Sequence, residues 1–252
     1  ARAAISMKET GASKRTIFYG WSQGGGATIA AASQGAYVNQ KGSVADDLQV
    51  LGFVAMAPED AAVMLPNANK DQATADKALN GLVQIFSDNV FNFSHFAMTM
   101  WGTQAAYPNL KLTDLFTDQG AKVIDQVLSN KCMHVVADTL NFTFGAQFKT
   151  LLRDKPSNSI AWAKALIDGS VPSVKPIAPV VIYWGTKDTA VPPIMHELYQ
   201  KQMCALGGNI ERIQLPGEQT HFSTPGVSAS MYLQWVKDRV AGKPLANGCV
   251  KK

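Results

Sequence analysis

The segment that most constrains this chain is Gly20-Trp21-Ser22-Gln23-Gly24. A bare G-x-S-x-G pattern is weak, since roughly one chain in ten of this length shows it by chance. Its setting here is specific. Residues 15–21 (Arg-Thr-Ile-Phe-Tyr-Gly-Trp) join β-branched and aromatic side chains to glycine punctuation, which predicts a buried strand. Residues 23–36 are mostly small and predict a helix that packs closely on a sheet. A serine caught between such a strand and helix occupies a nucleophile elbow, where strained backbone lifts the hydroxyl out of the sheet. Neighbouring backbones crowd that turn, so small flanking residues are required, and Gly20, Gly24 and Gly25 are expected to supply them. The Gln23 N–H, in the first helical turn, is expected to face a developing oxyanion with the help of the helix dipole. The alternative is a glycine-rich turn without chemistry.

A serine hydroxyl needs a base at neutral pH. Of the four histidines, His221 follows a predicted strand at 210–215 and the Pro216-Gly217 turn, on the carboxyl side where parallel sheets place active groups. His95 and His134 fall in the middle of the chain and His196 on a helix flank; these three read as structural or surface residues. The imidazolium formed on proton transfer needs an anion that fixes its tautomer. Asp188 comes just after the predicted strand 178–185, again at a carboxyl end. Asp168 has a similar Asp-Gly setting but precedes that strand. The order Ser22, Asp188, His221 is the order of α/β-hydrolases, not of chymotrypsin or subtilisin.

The remaining predicted elements agree. Residues 48–57 form another apolar strand, ended by Pro58. Residues 193–206 form a helix with Pro193 at its start and Gly207-Gly208 after it, and a last helix covers about 227–241. Strands apolar throughout that alternate with helices predict a mostly parallel α/β sheet. Residues 59–172 differ in texture. They lack β-branched runs and carry helically spaced Leu79, Leu82, Val83 and Phe86, then Phe91, Phe93, Phe96 and Met100. The expected division is a core at 1–58, an inserted helical subdomain at 59–172 and a second part of the core at 173–252. The insert is either an ordinary second core or a lid with an apolar substrate face.

Composition narrows the partners. Hydrophobic residues make up 46% of the 252 and charged residues 17%, which excludes a disordered chain. The net charge is +4, and only Lys251-Lys252 cluster, so nucleic acid is not an expected partner. No apolar run approaches the ~18 residues of a membrane span. Three cysteines leave one over: Cys204 and Cys249 could bridge, and Cys132 would remain. Two glycosylation triplets, Asn92-Phe93-Ser94 and Asn141-Phe142-Thr143, are compatible with secretion but sit in apolar surroundings.

The segments Tyr19-Gly20-Trp21-Ser22-Gln23-Gly24-Gly25, Tyr183-Trp184-Gly185-Thr186-Lys187-Asp188 with Val191-Pro192-Pro193, and Gly217-Glu218-Gln219-Thr220-His221 resemble the secretory lipase family of α/β-hydrolases. The resemblance covers nearly the whole chain, with the insert matching by position and texture. It implies hydrolysis of carboxylic esters by a secreted or periplasmic enzyme, with Ser22, Asp188 and His221 as the triad and Gln23 as one oxyanion donor. It implies apolar acyl chains bound under a large helical lid and no cofactor or metal, and it leaves open a lipid interface. Two other readings stand beside it: a peptidase, thioesterase or acyltransferase on the same scaffold, and a binding protein that keeps the scaffold without turnover. The family fold also has about four strands before the elbow strand, and residues 1–14 hold none. Strand 15–21 would then be an open apolar edge. The expected partner is therefore an N-terminal chain or fragment of the same protein, or a second copy.

Overall fold

A computed structural model of the chain describes residues 2–38, 40–42 and 48–250, so the Lys251-Lys252 pair lies outside the described residues. The elements run α1 (Arg2–Ser6), β1 (Arg15–Trp21), α2 (Gln23–Ala32), α3 (Gly35–Val38), β2 (Gln49–Met56), α4 (Gln72–Phe86), α5 (Val90–Ala106), α6 (Asp118–Leu128), α7 (Met133–Phe144), α8 (Ser159–Asp168), β3 (Val180–Trp184), α9 (Pro193–Ala205), β4 (Ile210–Gln214) and α10 (Thr224–Val240). Contacts divide the chain into two units, Ala1–Met64 with Ser170–Lys252, and Leu65–Gly169. Among the described residues no helix is long and apolar enough to cross a membrane.

The first unit holds a four-stranded sheet in the order β1-β2-β3-β4, with every neighbouring pair parallel. This is the parallel α/β sheet that the strand texture predicts, and it agrees with the α/β-hydrolase fold that the order of Ser22, Asp188 and His221 implies. Both faces of β2 are covered, and Phe53 through Met56 are fully buried. Successive side chains point to opposite faces. Phe53 and Ala55 therefore join Ile29, Val180, Ile182, Tyr199 and Met203 on one side. Val54 and Met56 join Val181, Tyr183, Leu215 and Trp235 on the other. The predicted helix 23–36 is interrupted: α2 stops at Ala32, and a separate turn begins at Gly35. At the break, Ser33 N–H turns back to Ala30 O (3.1 Å), the Ala32 carbonyl accepts Ile177 N–H (2.9 Å), and the Ser33 hydroxyl donates to the Val174 carbonyl at 3.1 Å.

A tail closes the β4 edge. The Asn209 amide donates to Ala246 O (3.2 Å), and the Asn209 carbonyl accepts the Gly248 N–H (2.8 Å). Cys204 and Cys249 form a disulfide, which leaves Cys132 free and exposed. A Cβ on Gly248 would lie 2.5 Å from Glu211 Cα, so only glycine lets the tail press this closely on β4.

The second unit is helical. Its core is aromatic: Phe93 lies 5.0 Å from Phe148 and 6.2 Å from Phe116 between ring centroids. Side chains cap its helices. Asp71 Oδ1 accepts Thr74 N–H at the start of α4, Asn89 Oδ1 accepts Asn92 N–H at α5, and Thr117 Oγ1 accepts Gly120 N–H at α6. Asp114 gathers two distant donors, Trp162 Nε1–H at 2.9 Å and Asn158 Nδ2–H at 3.3 Å, and one local one, Lys111 N–H at 3.0 Å.

Candidate active site

Parallel pairing aligns the carboxyl ends of the strands, and the three residues singled out in the sequence stand just past those ends. Ser22 follows β1, Asp188 follows β3 and His221 follows β4. Ser22 has φ 57° and ψ −122°, a conformation a non-glycine residue adopts only when its surroundings enforce it. The enforcement comes from backbone. Ser22 N–H donates to Met56 O (2.9 Å), and Ser22 O accepts N–H groups from Gly26 (2.9 Å) and Glu59 (3.2 Å). The exit of β2, with Ala57 itself at φ 41°, thus grips the serine on both sides of its peptide.

The crowding is as predicted at two glycines and misplaced at one. A Cβ on Gly20 would meet Gly24 O at 2.0 Å, and one on Gly25 would meet Met56 O at 2.9 Å. Gly24, expected to be crowded, faces open space, while a Cβ on Gly26 would sit 2.2 Å from Glu59 O. The β2 exit presses on the side of α2 that Gly25 and Gly26 share. Gln23 is the first residue of α2, so its N–H is among those an α-helix leaves without an intrahelical acceptor.

His221 Nε2 lies 2.9 Å from Ser22 Oγ, and His221 Nδ1 lies 2.8 Å from Asp188 Oδ2. Asp188 and His221 are both buried, each 5% exposed. The other carboxylate oxygen, Oδ1, accepts N–H groups from Ala190 (3.0 Å) and Val191 (2.8 Å). A carboxylate offers only lone pairs, so the proton between it and the imidazole sits on Nδ1. Nε2 then presents its lone pair to the serine hydroxyl. The two loops are stitched together as well: Lys187 N–H donates to Gln219 O at 2.9 Å, and a Cβ on Gly185 would clash with that same carbonyl.

The other histidines stand elsewhere. His95 Nδ1 bonds to Phe91 O in its own helix, and His134 packs near the Phe91 ring. His196 is buried, and its Nδ1 accepts the Arg212 Nε–H at 3.0 Å. That fixes its remaining proton on Nε2, which meets no hydrogen-bond partner among the described residues. Burial, and then the Arg212 charge, pull its pKa down to about 3. Asp60 is pushed up by burial despite the Ser170 hydroxyl bonded to it at 2.7 Å. Among the described residues no three His, Cys, Asp or Glu side chains form a group able to hold a metal.

Sequence reasoning missed two aromatic neighbours of the imidazole. Trp21 and Phe222, themselves in contact, both pack on His221, with ring centroids 5.0 and 5.5 Å away. The signal was their adjacency in sequence to the proposed nucleophile and base.

A protein-family model described as "Secretory lipase" matches residues 1–248. No curated protein matches the sequence. Among solved structures, a ligand-bound form of the rice cell wall degrading esterase LipA from Xanthomonas oryzae superposes with a TM-score of 0.69 at 15% identity, over 96% of this chain and 62% of that one. Candida antarctica lipase A does so with a TM-score of 0.68 at 17% identity, over 99% of this chain and 54% of that one. A hydrolase described as putative, from Legionella pneumophila, gives a TM-score of 0.67 at 11% identity, over 97% and 62%. This chain thus spans less than two thirds of the length of each structure, and identities this low carry the fold alone.

Proposed function

The chain belongs to the secretory lipase family, and from that premise we propose that it hydrolyses carboxylic esters with apolar acyl groups through an acyl-enzyme formed on Ser22. The observation that carries this reading is the unbroken line of contacts from Ser22 Oγ through the His221 ring to Asp188. Ser22 Oγ attacks the ester carbonyl while His221 Nε2 takes its proton. Asp188 stabilises the imidazolium without accepting the proton. Negative charge builds on the carbonyl oxygen as the tetrahedral intermediate forms, and the free Gln23 N–H donates to it. The C–O bond to the alcohol then breaks, and the alcohol leaves with the proton from Nε2. Water attacks the acyl carbon, gives its proton to His221 and releases the acid, with that proton returning to Ser22.

The family's secretory name and the Cys204–Cys249 disulfide support a site of action outside the cytoplasm, since such bonds persist in oxidising compartments. The test is a panel of p-nitrophenyl esters of rising acyl length, run beside amide and thioester analogues, with mass spectrometry after treatment with an alkyl phosphonate. Ester turnover and a phosphonate adduct on Ser22 are expected. An intact, folded chain that turns over no ester and takes no label would overturn the proposal.

A further inference from the structure

Trp21 is the first of the two variable residues of the G-x-S-x-G motif, and nothing in the elbow's backbone geometry requires it to be tryptophan. Its side chain does something specific. The indole Nε1–H donates to the main-chain carbonyl of His221, 200 residues away, at 3.2 Å. Its ring lies 5.0 Å from the imidazole with the planes 32° apart. Phe222 stands beside the indole and meets the imidazole edge-on, 5.5 Å from it at 86° and 6.0 Å from the indole. Asp188 therefore holds one nitrogen of the ring, while two aromatic rings limit how it can tilt.

Trp21 is also the last residue of β1, paired with Met56 in the sheet, and Met56 O takes the Ser22 N–H. One peptide thus carries the serine forward and the indole sideways. We propose that Trp21 is a positioning residue whose indole N–H ties the His221 loop to the end of β1, so that the Nε2-to-Oγ distance is set by the strand rather than by the loop. The proposal rests on Ser22 being the nucleophile and His221 its base. The loop's other bonds hold its flanks: Lys187 N–H on Gln219 O, and Thr224 N–H on Thr220 O. The indole is attached to the histidine itself.

Trp21→Phe keeps a ring beside the imidazole and deletes the donor. We expect kcat and the rate of phosphonate labelling to fall about fivefold, the equivalent of one lost hydrogen bond, with KM unchanged. Trp21→Ala removes the ring as well, and a shift of the imidazole on the order of an ångström costs about a hundredfold. The second readout does not need turnover. In ¹⁵N-histidine spectra of the unsubstituted chain, the His221 Nδ1–H facing Asp188 gives a far-downfield correlation, assigned by its loss in His221→Ala. That signal is expected to broaden and exchange faster in Trp21→Phe.

An unchanged signal in Trp21→Phe overturns the proposal, as does the absence of the signal from the unsubstituted chain. A Trp21→Phe chain that fails to fold also overturns it, because the residue then serves the core. If the unsubstituted chain shows neither turnover nor labelling, the nucleophile reading fails on its own, and the histidine spectra still decide whether Trp21 anchors the ring.

Discussion

The two units of the chain spend their polar side chains differently. In the sheet unit, Ser22, Asp188 and His221 each stand a few residues past a strand and bond to one another. In the helical unit, Asp71, Asn89 and Thr117 each cap the helix they precede, and Asp114 collects donors from Lys111, Asn158 and Trp162. A parallel sheet lines up its strand ends, so three segments far apart in sequence reach one rim at no cost beyond the pairing itself. A helix ends with unbonded backbone groups, and its nearest polar side chain is drawn into closing them. The difference lies in what each architecture leaves over: strand pairing satisfies the backbone of the inner strands without side chains and leaves polar residues at the strand ends for chemistry.

Substitutions test that contrast. The largest effect is expected from Ser22→Ala, a loss of about 10⁶-fold in kcat with no change in the unfolding midpoint; residual ester hydrolysis near the original rate would remove the sheet rim from the chemistry. Asp188→Asn is expected to cost about 10⁴-fold, because an amide facing Nδ1 favours the wrong tautomer, and circular dichroism should find the fold intact. A pH effect comes next. The folded pKa of His196 lies near 3, below its ordinary 6.5, so the unfolded chain takes up a proton that the native chain refuses. Stability is therefore complete above pH 6.5 and lost progressively as the pH falls towards 3. Urea unfolding at stepped pH should record that slope, and His196→Gln should flatten it.

In the helical unit, Asp114→Ala strands the buried Trp162 indole N–H and is expected to lower stability by about 1–3 kcal/mol in urea titrations. Its kcat should stay within about twofold of the original. A fall in turnover as large as that of Asp188→Asn would mean the helical unit does chemistry after all, and the contrast would break. The smallest effect belongs to Thr117→Ala, about 1 kcal/mol for a lost helix cap, again by urea unfolding.

The parts of this molecule that could be read from sequence are those whose signal is local. Val180–Trp184 is an unbroken run of β-branched and aromatic residues, and such a run fits a strand buried on both faces. Ser22, Asp188 and His221 were legible because each sits beside a recognisable strand end. The choice between Gly24 and Gly26 was not, because it depends on the path of residues 56–59, which approach from another part of the chain. The Asp114 cluster was invisible for the same reason, since its donors Asn158 and Trp162 lie more than forty residues away. Nor did the two glycosylation triplets announce their difference: Asn92 is buried and held by Asp88, while Asn141 is exposed.

The tail fastened over β4 bears on how the protein can be handled. An outer strand with bare amides and carbonyls recruits other strands, and here a covalent staple keeps that side shut. A reducing agent in the storage buffer, or production in a thiol-rich compartment, unfastens the staple and leaves non-covalent contacts, among them the Asn209 and Gln200 side-chain bonds, to hold the cover down. Preparations kept oxidised should stay dispersed at concentrations where reduced ones clump, with no loss of any group at the reactive rim.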